Sequence, residues 1–414
     1  MTTTVNPAEN DSAEAPVYPM ERASKCPFDP PPVQQAMLDQ DSPLAKIRLF
    51  DDSTHWLVTR YADQRTLLSD DRLSVDISKP GYPHESVQSK DAAEGGTLSF
   101  ATIDDPEHAR LRRMVTAPFT IKRIEAMRPA VQRITDELID DLLAGPKPAD
   151  LVDAFALPLP SLVISELLGV PYDRHEFFQD HSKTFISRTS TDEERMGAVT
   201  ELATYLGGLI VEKMKDPGDD LLSQIAHERV AAGELSVPEA IQMAVLLLIA
   251  GHETTANMIA LSTVALLENP DQLQALRETD DPKAVSAAVE ELLRYLTIAH
   301  NGRRQVALED IEHDGAIIRA GEGVIMASDS ANRDPRVFAD PDKLDLSRDA
   351  RQHMAFGFGV HQCLGQPLAR MELQVVFSTL FKRIPTLRLA VASDELPFKY
   401  DGIVYGVHKL PVTW

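Results

Sequence analysis

The chain has 414 residues, 43% of them apolar, with 41 basic and 64 acidic side chains and a net charge of −23. That apolar share supports a large core, while the acidic balance argues against nucleic acid or an anionic membrane surface as a partner. Two cysteines, Cys26 and Cys363, exclude a disulfide framework, and no second Cys or His pair stands at zinc-ligand spacing near Cys363.

From the N-terminus, residues 1–32 are polar and proline-containing without periodicity, which predicts a flexible arm ahead of a single domain over 33–414. Residues 1–20 lack the basic start and apolar core of a secretory signal. Residues 47–50 and 56–59 alternate like two short strands around an Asp51-Asp52-Ser53 turn. The stretch 79–98, with Lys79-Pro80-Gly81-Tyr82-Pro83 and Gly95-Gly96, predicts a long irregular loop of the kind that serves binding or gating. From Glu107 to about Glu268 the pattern is helical, and short strands return over 306–318 and near 398–407. No run approaches the roughly 18 unbroken apolar residues of a membrane span. The longest, Ala244 to Ala250, stops at Gly251-His252-Glu253. The expectation is a mainly α, cytoplasmic protein with a smaller β-rich region and no membrane contact.

Two stretches carry chemistry. Along the helical pattern from Pro238 to Asn269, Gly251-His252-Glu253-Thr254-Thr255 sets polar groups into an apolar run. Burying them costs desolvation, so they are expected to act. A Thr hydroxyl bonded to the carbonyl one turn earlier loosens a helix. The His-Glu start of a zinc-protease motif fails, because its closing position is Ala256. The second stretch is Phe356-Gly357-Phe358-Gly359-Val360-His361-Gln362-Cys363-Leu364-Gly365, followed by a helical pattern from Gln366. A thiolate is a strong soft ligand for haem iron, glycines let the backbone pass close to a flat macrocycle, and a following helix N-terminus favours the thiolate. The competing reading of Cys363 is a buried structural thiol.

The spacing Phe356-x-x-Gly359-x-His361-x-Cys363-x-Gly365 resembles the haem-binding loop of the cytochrome P-450 superfamily. Three further segments agree with it in order: Asp105-Pro106-Glu107-His108-Ala109-Arg110-Leu111-Arg112, Ala250-Gly251-His252-Glu253-Thr254-Thr255 and Glu291-Leu292-Leu293-Arg294. Ser328 to Pro335 and the ending Leu410-Pro411-Val412-Thr413-Trp414 are similar to the soluble actinobacterial members, and the nearest likeness is to the compactin hydroxylases that form pravastatin.

The resemblance implies the P-450 fold, with haem b held by Cys363 as iron ligand and with Phe356, Gly357, Gly365 and Ala250 against the cofactor. It assigns His108, Arg112 and His361 to the haem propionates. The usual Arg of the strand near Val306 is replaced by Gln305, so that either Arg303 or Arg304 substitutes or one propionate is less well neutralised. It makes Thr254 and Glu253 the pair that delivers protons during dioxygen activation. Glu291 and Arg294, joined by Arg348, become a structural brace. Leu246, Ala250, Ile298, Ala299, Val404 and the 79–98 loop surround the substrate. The implied activity is hydroxylation of a lipophilic molecule (a statin precursor such as compactin, a macrolide, a sterol or a xenobiotic). It uses O₂ and electrons from NAD(P)H through a ferredoxin reductase and a ferredoxin, since the chain has no dinucleotide fingerprint of its own. Arg110, Arg112 and Arg113 offer a local basic dock for that ferredoxin. The alternatives are a haem-thiolate peroxygenase or reductase, and a non-catalytic haem-binding sensor.

Overall fold

The turn at Asp51-Asp52-Ser53 forms as the alternation predicts: the Asp51 carboxylate accepts from the Ser53 amide and Asp52 takes φ 61°. It joins antiparallel strands Leu44–Arg48 and Thr54–Val58. A computed structural model shows this, describing residues 15–22, 27–40, 44–94, 99–171, 174–186, 190–400 and 404–414. These group into two units, each assembled from three separated stretches of chain. The first holds the chain through His108 with Leu293–Lys343 and Gln352–Cys363; the second holds Ala109–Leu292, Leu344–Arg351 and Leu364–Trp414. The changeovers at 108 and 292 fall inside helices rather than in loops, so no linker marks them in the sequence.

The first unit is built on a five-stranded sheet. Its order is Leu44–Arg48, Thr54–Val58, Gly323–Met326, Arg303–Ala307 and Leu73–Ser74, with only the Thr54–Val58 and Gly323–Met326 pair parallel. Side chains alternate across it. Trp56, Val58, Val324 and Met326 enter one cluster, and Leu57, Ile325 and Ile47 the other, so both faces are buried. The predicted return of strands resolves into Arg303–Ala307 and a separate hairpin, Ile311–His313 with Ala316–Ile318. That hairpin turns at Asp314-Gly315, both at positive φ, as a two-residue turn of this hand requires.

Two expectations need correction here. Of the proposed arm over 1–32, the described part is packed. Tyr18 is 2% exposed and its amide donates to the Arg48 carbonyl, while Arg22 pairs with Asp329 at 3.6 Å with both side chains buried. Pairing with a free sheet edge needs no periodicity, so composition gave no sign of it. Residues 1–14 and 23–26, including Cys26, lie outside the described residues. The 79–98 loop contains a helix, Val87–Glu94, because Ser86 and Ser89 cap its start: the Ser89 amide donates to the Ser86 hydroxyl and the Ser86 amide to that of Ser89.

The second unit is helical, with a small sheet of Ala149–Asp150, Pro411–Thr413 and Arg388–Leu389. Its longest helix, Val237–Leu267, begins at a capping box in which the Ser236 hydroxyl accepts from the Glu239 amide and the Glu239 carboxylate accepts from the Ser236 amide. Every residue from Thr255 to Leu266 on it is buried, as an all-round apolar helix demands. By length and hydropathy it is apolar enough to cross a membrane. However, 67% of the most apolar window is already buried by the protein itself, which marks it as a core helix.

Arg294, at 0% exposure near the end of helix Pro282–Leu296, donates to the carbonyls of Asn332 and Pro341 at 2.8 Å each. The Asn332 side chain in turn accepts from the Met354 amide at 2.7 Å and donates to the Thr297 hydroxyl at 2.8 Å. Arg294→Met would leave two buried carbonyls unpaired, at about 1–3 kcal/mol each. Urea unfolding should register a loss of at least about 2 kcal/mol. A loss below about 0.5 kcal/mol, typical of surface changes, would show that these bonds do not hold the unit together.

Candidate active site

In the first unit, the stretch before Cys363 is a series of tight turns. The Gly357 amide donates to Met354 O, the Gln362 amide to Gly359 O, and the Cys363 amide to Phe356 O at 2.9 Å. Gly357 and Gly359 stand at φ 71° and 78°, where L side chains are strained. A Cβ at Gly357 would also run into the Arg303 guanidinium. Phe356 is half-buried with its ring near His353, and Arg65 lies 4.2 Å over the Phe358 ring. The turns leave Cys363 half-buried with a free thiol.

The basic groups expected around a cofactor divide clearly. His108 is 1% exposed; its Nδ1 meets the Asp105 carboxylate at 2.9 Å, its ring lies 4.0 Å from that of His361, and its Nε2 is buried without a hydrogen-bond partner among the described residues. Arg304 is committed elsewhere, donating to the carbonyls of Pro83 and His84 and standing 3.6 Å from Glu85. Arg303, on the opposite face of the strand by alternation, makes no hydrogen bond or ion pair among the described residues. Burial pulls its guanidinium below the ordinary value, and Cys363 opposes this. Gln305 shares the Arg303 face, donates weakly to Leu73 O and leaves its own oxygen unpaired. Of the two, Arg304 is the engaged side chain and Arg303 the uncommitted one among the described residues.

The second unit carries the polar interruption of the long helix. His252 is 2% exposed and its Nε2 lies 3.1 Å from Leu157 O, an acceptor, so Nε2 carries the proton. Burial lowers the pKa of the ring while Glu253 opposes the shift, leaving a neutral, structural imidazole. Glu253 Oε1 accepts from Lys399 Nζ at 2.7 Å and from Asn257 Nδ2 at 2.8 Å. The Thr254 hydroxyl donates to Ala250 O, one turn back, at 2.7 Å. Leu246, Ile249, Ala250 and Thr254, at the spacing of one helix face, are incompletely covered, whereas Leu247, Leu248, His252 and Glu253 are buried.

The remaining candidates fall in both units. Val404 in the second, and Ile298 and Ala299 in the first, are half-buried. Arg112 is half-buried one turn after His108 on Glu107–Thr116, and Gly365 caps helix Gln366–Arg383. Glu291 accepts from Arg348 at 3.2 Å and from the Asp345 amide at 3.0 Å, and Arg294 donates to the carbonyls of Asn332 and Pro341. Of the three arginines offered as a dock, Arg110 pairs with Glu239 at 3.0 Å, while Arg113 stays exposed. Lys399 and Asn257 were not foreseen: an ion pair spanning 146 residues leaves no local signal, and Asn257 sits in a run that reads as plain core.

Comparison with known proteins decides the family. The sequence profile "Cytochrome P450" matches residues 177–385, and the chain is 54% identical over its whole length to cytochrome P450 GfsF of Streptomyces halstedii, covering 99% of that protein. The chain is a cytochrome P450. The GfsF crystal structure superposes with a TM-score of 0.92, covering 97% of this chain and all of that one. Pentalenic acid synthase of Streptomyces avermitilis is 48% identical over 97% of this chain and 98% of its own. Mycinamicin VIII C21 methyl hydroxylase of Micromonospora griseorubida is 41% identical over 96% of this chain and all of its own, and its crystal structure with mycinamicin VIII gives a TM-score of 0.88. The fold is therefore the P450 fold, and the protein is a monooxygenase that uses haem b, O₂, redox partners and a lipophilic substrate. The residues present fit haem. A half-buried thiol, a buried imidazole nitrogen without a partner and a guanidinium without an anion lie in one unit, with a glycine where any side chain would obstruct that guanidinium.

Proposed function

We propose that the enzyme hydroxylates a polyketide-type lipophile in the cytoplasm, compactin being the leading specific substrate. Electrons would come from NAD(P)H through a ferredoxin reductase and a ferredoxin. The observation that carries the reading is the uncovered apolar stripe Leu246, Ile249 and Ala250 ending at Thr254, beside the fixed carboxylate of Glu253. An apolar wall positions a substrate by shape, and the hydroxyl at its end is placed to hand over a proton. Two of the relatives named above are by name a pentalenic acid synthase and a mycinamicin VIII C21 methyl hydroxylase, which favours a lipophilic natural product over small polar metabolites.

Haem bound through Cys363 supplies O–O cleavage, which a thiolate ligand promotes. The chain's own residues do the rest. Glu253 takes protons from water and passes them to its neighbour, and Thr254 holds one at Oγ1, parked on Ala250 O until it is needed. Arg303, His108, His361 and Arg112 pair with the two propionates, where charge-assisted bonds are strongest. Arg294 with Asn332 braces the backbone ahead of the cysteine turns, and Glu291 with Arg348 braces the second unit, neither taking part in the reaction. In the second unit, Leu246, Ala250 and Val404 exclude water and help set which C–H bond is presented.

The test of the substrate is an optical titration of ferric enzyme with compactin, a macrolide and a sterol. A saturable low-to-high-spin shift with compactin supports the assignment; a shift with the other two alone removes compactin and keeps the monooxygenase. Thr254→Ala should leave that shift intact and divert electrons to hydrogen peroxide, lowering product per NAD(P)H toward the roughly 10²-fold that a positioned proton donor contributes. Unchanged coupling would take Thr254 out of the relay. Arg303→Leu should speed haem transfer to apomyoglobin by about tenfold, as loss of one charge-assisted bond implies, whereas Gln305→Ala should not. Equal rates for the two variants would refute the Arg303 assignment.

A further inference from the structure

Residues 397–400 and 404–408 pair antiparallel as the two limbs of a ribbon. Phe398 and Val407 bridge antiparallel, the Lys399 amide donates to Gly406 O, and the His408 amide to Pro397 O, both at 2.8 Å. Phe398 and Tyr405 stack at 6.0 Å with their rings within 9° of parallel. Two points fasten this ribbon to the long helix. At one, Gly406 presses on Asn257 so closely that any Cβ there would overlap the amide oxygen. At the other, Lys399 Nζ reaches Glu253 Oε1, with side-chain exposures of 14% and 11%. Asn257 serves both points, since its Nδ2 also donates to Glu253 Oε1 and to the Glu253 carbonyl, each at 2.8 Å.

A staple alone does not require a lysine at this place. An apolar contact would fasten a ribbon to a helix at no desolvation cost, and replacing a buried ion pair by apolar residues is often neutral or stabilising. What the lysine adds is specific to Glu253. A buried carboxylate keeps its charge and its orientation only beside a cation and hydrogen-bond donors. Lys399 and Asn257 both engage the same oxygen, Oε1, which fixes the direction in which the other oxygen points.

We propose that Lys399 is a positioning residue for proton delivery: from the limb 397–400 it holds the Glu253 carboxylate in one orientation, ready to accept a proton from water at its other oxygen and release it to Thr254. Because Val404 rides on the same ribbon, the element that meets substrate is also the one that sets the relay. This rests on the reading above that Glu253 and Thr254 move protons.

Lys399→Met, Lys399→Arg and Glu253→Gln holoenzymes are compared for spin-shift affinity, product formed per NAD(P)H and peroxide release. Infrared spectra of the resting enzymes are taken alongside. Lys399→Met should keep substrate affinity within about twofold while its coupling falls to the level of Glu253→Gln, and Lys399→Arg should recover most of the loss. In the infrared, Lys399→Met should gain a protonated-carboxyl band that is missing from the Lys399→Met/Glu253→Gln double variant. Wild-type coupling in Lys399→Met alongside uncoupled Glu253→Gln would overturn the proposal and leave the relay standing. Wild-type coupling in Glu253→Gln would overturn the relay itself and the role of Lys399 with it. If Lys399→Met does not retain haem, Lys399→Gln against Lys399→Arg makes the same comparison: lower coupling in the glutamine variant supports the proposal, and equal coupling overturns it.

Discussion

Buried guanidinium groups bonded to main-chain carbonyls are the constraint on which the cysteine-bearing unit depends. Arg294 holds Asn332 and Pro341; Arg333, at 1% exposure, donates to the carbonyls of Phe28 and Tyr295 at 3.0 Å and lies 4.1 Å over the Tyr295 ring. Each side chain takes carbonyls that lie in loops or at helix ends, where no further turn donates to them. Turns are otherwise left to water, and in an interior they need such donors. The rigidity of the cysteine turns is therefore supplied from Asn332, whose amide side chain takes the Met354 amide just ahead of them.

The long helix shows the opposite arrangement. Its C-terminal half is apolar on every side, yet His252, Glu253 and Asn257 are buried within it. Most of their polar atoms meet something specific: a carbonyl for His252 Nε2, a cation and an amide for Glu253, a carboxylate and a carbonyl for Asn257, while His252 Nδ1 is buried without a hydrogen-bond partner among the described residues. Half-satisfied polar networks in a core are costly. The Glu253, Asn257 and Lys399 cluster is the part of this one whose partners are in place.

What the sequence made legible was what is local. The glycines before Cys363 and the Asp51-Asp52-Ser53 turn act within a few residues, and both stand where the pattern put them; the Ser236-to-Glu239 box is equally local. Alternation along Arg303–Ala307 had the information to separate Arg303 from Arg304, but only the commitment of Arg304 to Pro83 and His84 revealed which face was free. Long-range pairings escaped: Tyr18 on the sheet edge, Lys399 on Glu253, and two units whose segments interleave through continuous helices. The Val87–Glu94 helix escaped for a different reason, since two serine caps overcame a composition that reads as loop.

One hydrogen bond bears on how such enzymes diversify. The partner of the Thr254 hydroxyl is the carbonyl of Ala250, a main-chain atom, so the contact survives whatever side chain stands at 250. Position 250 belongs to the uncovered stripe, where a bulkier or more polar group reshapes the space offered to a substrate. Inheritance can therefore rewrite the wall one residue at a time while the adjoining hydroxyl keeps its anchor. Lineages with one scaffold are then free to drift across ligand shapes without passing through an ancestor that has lost its chemistry.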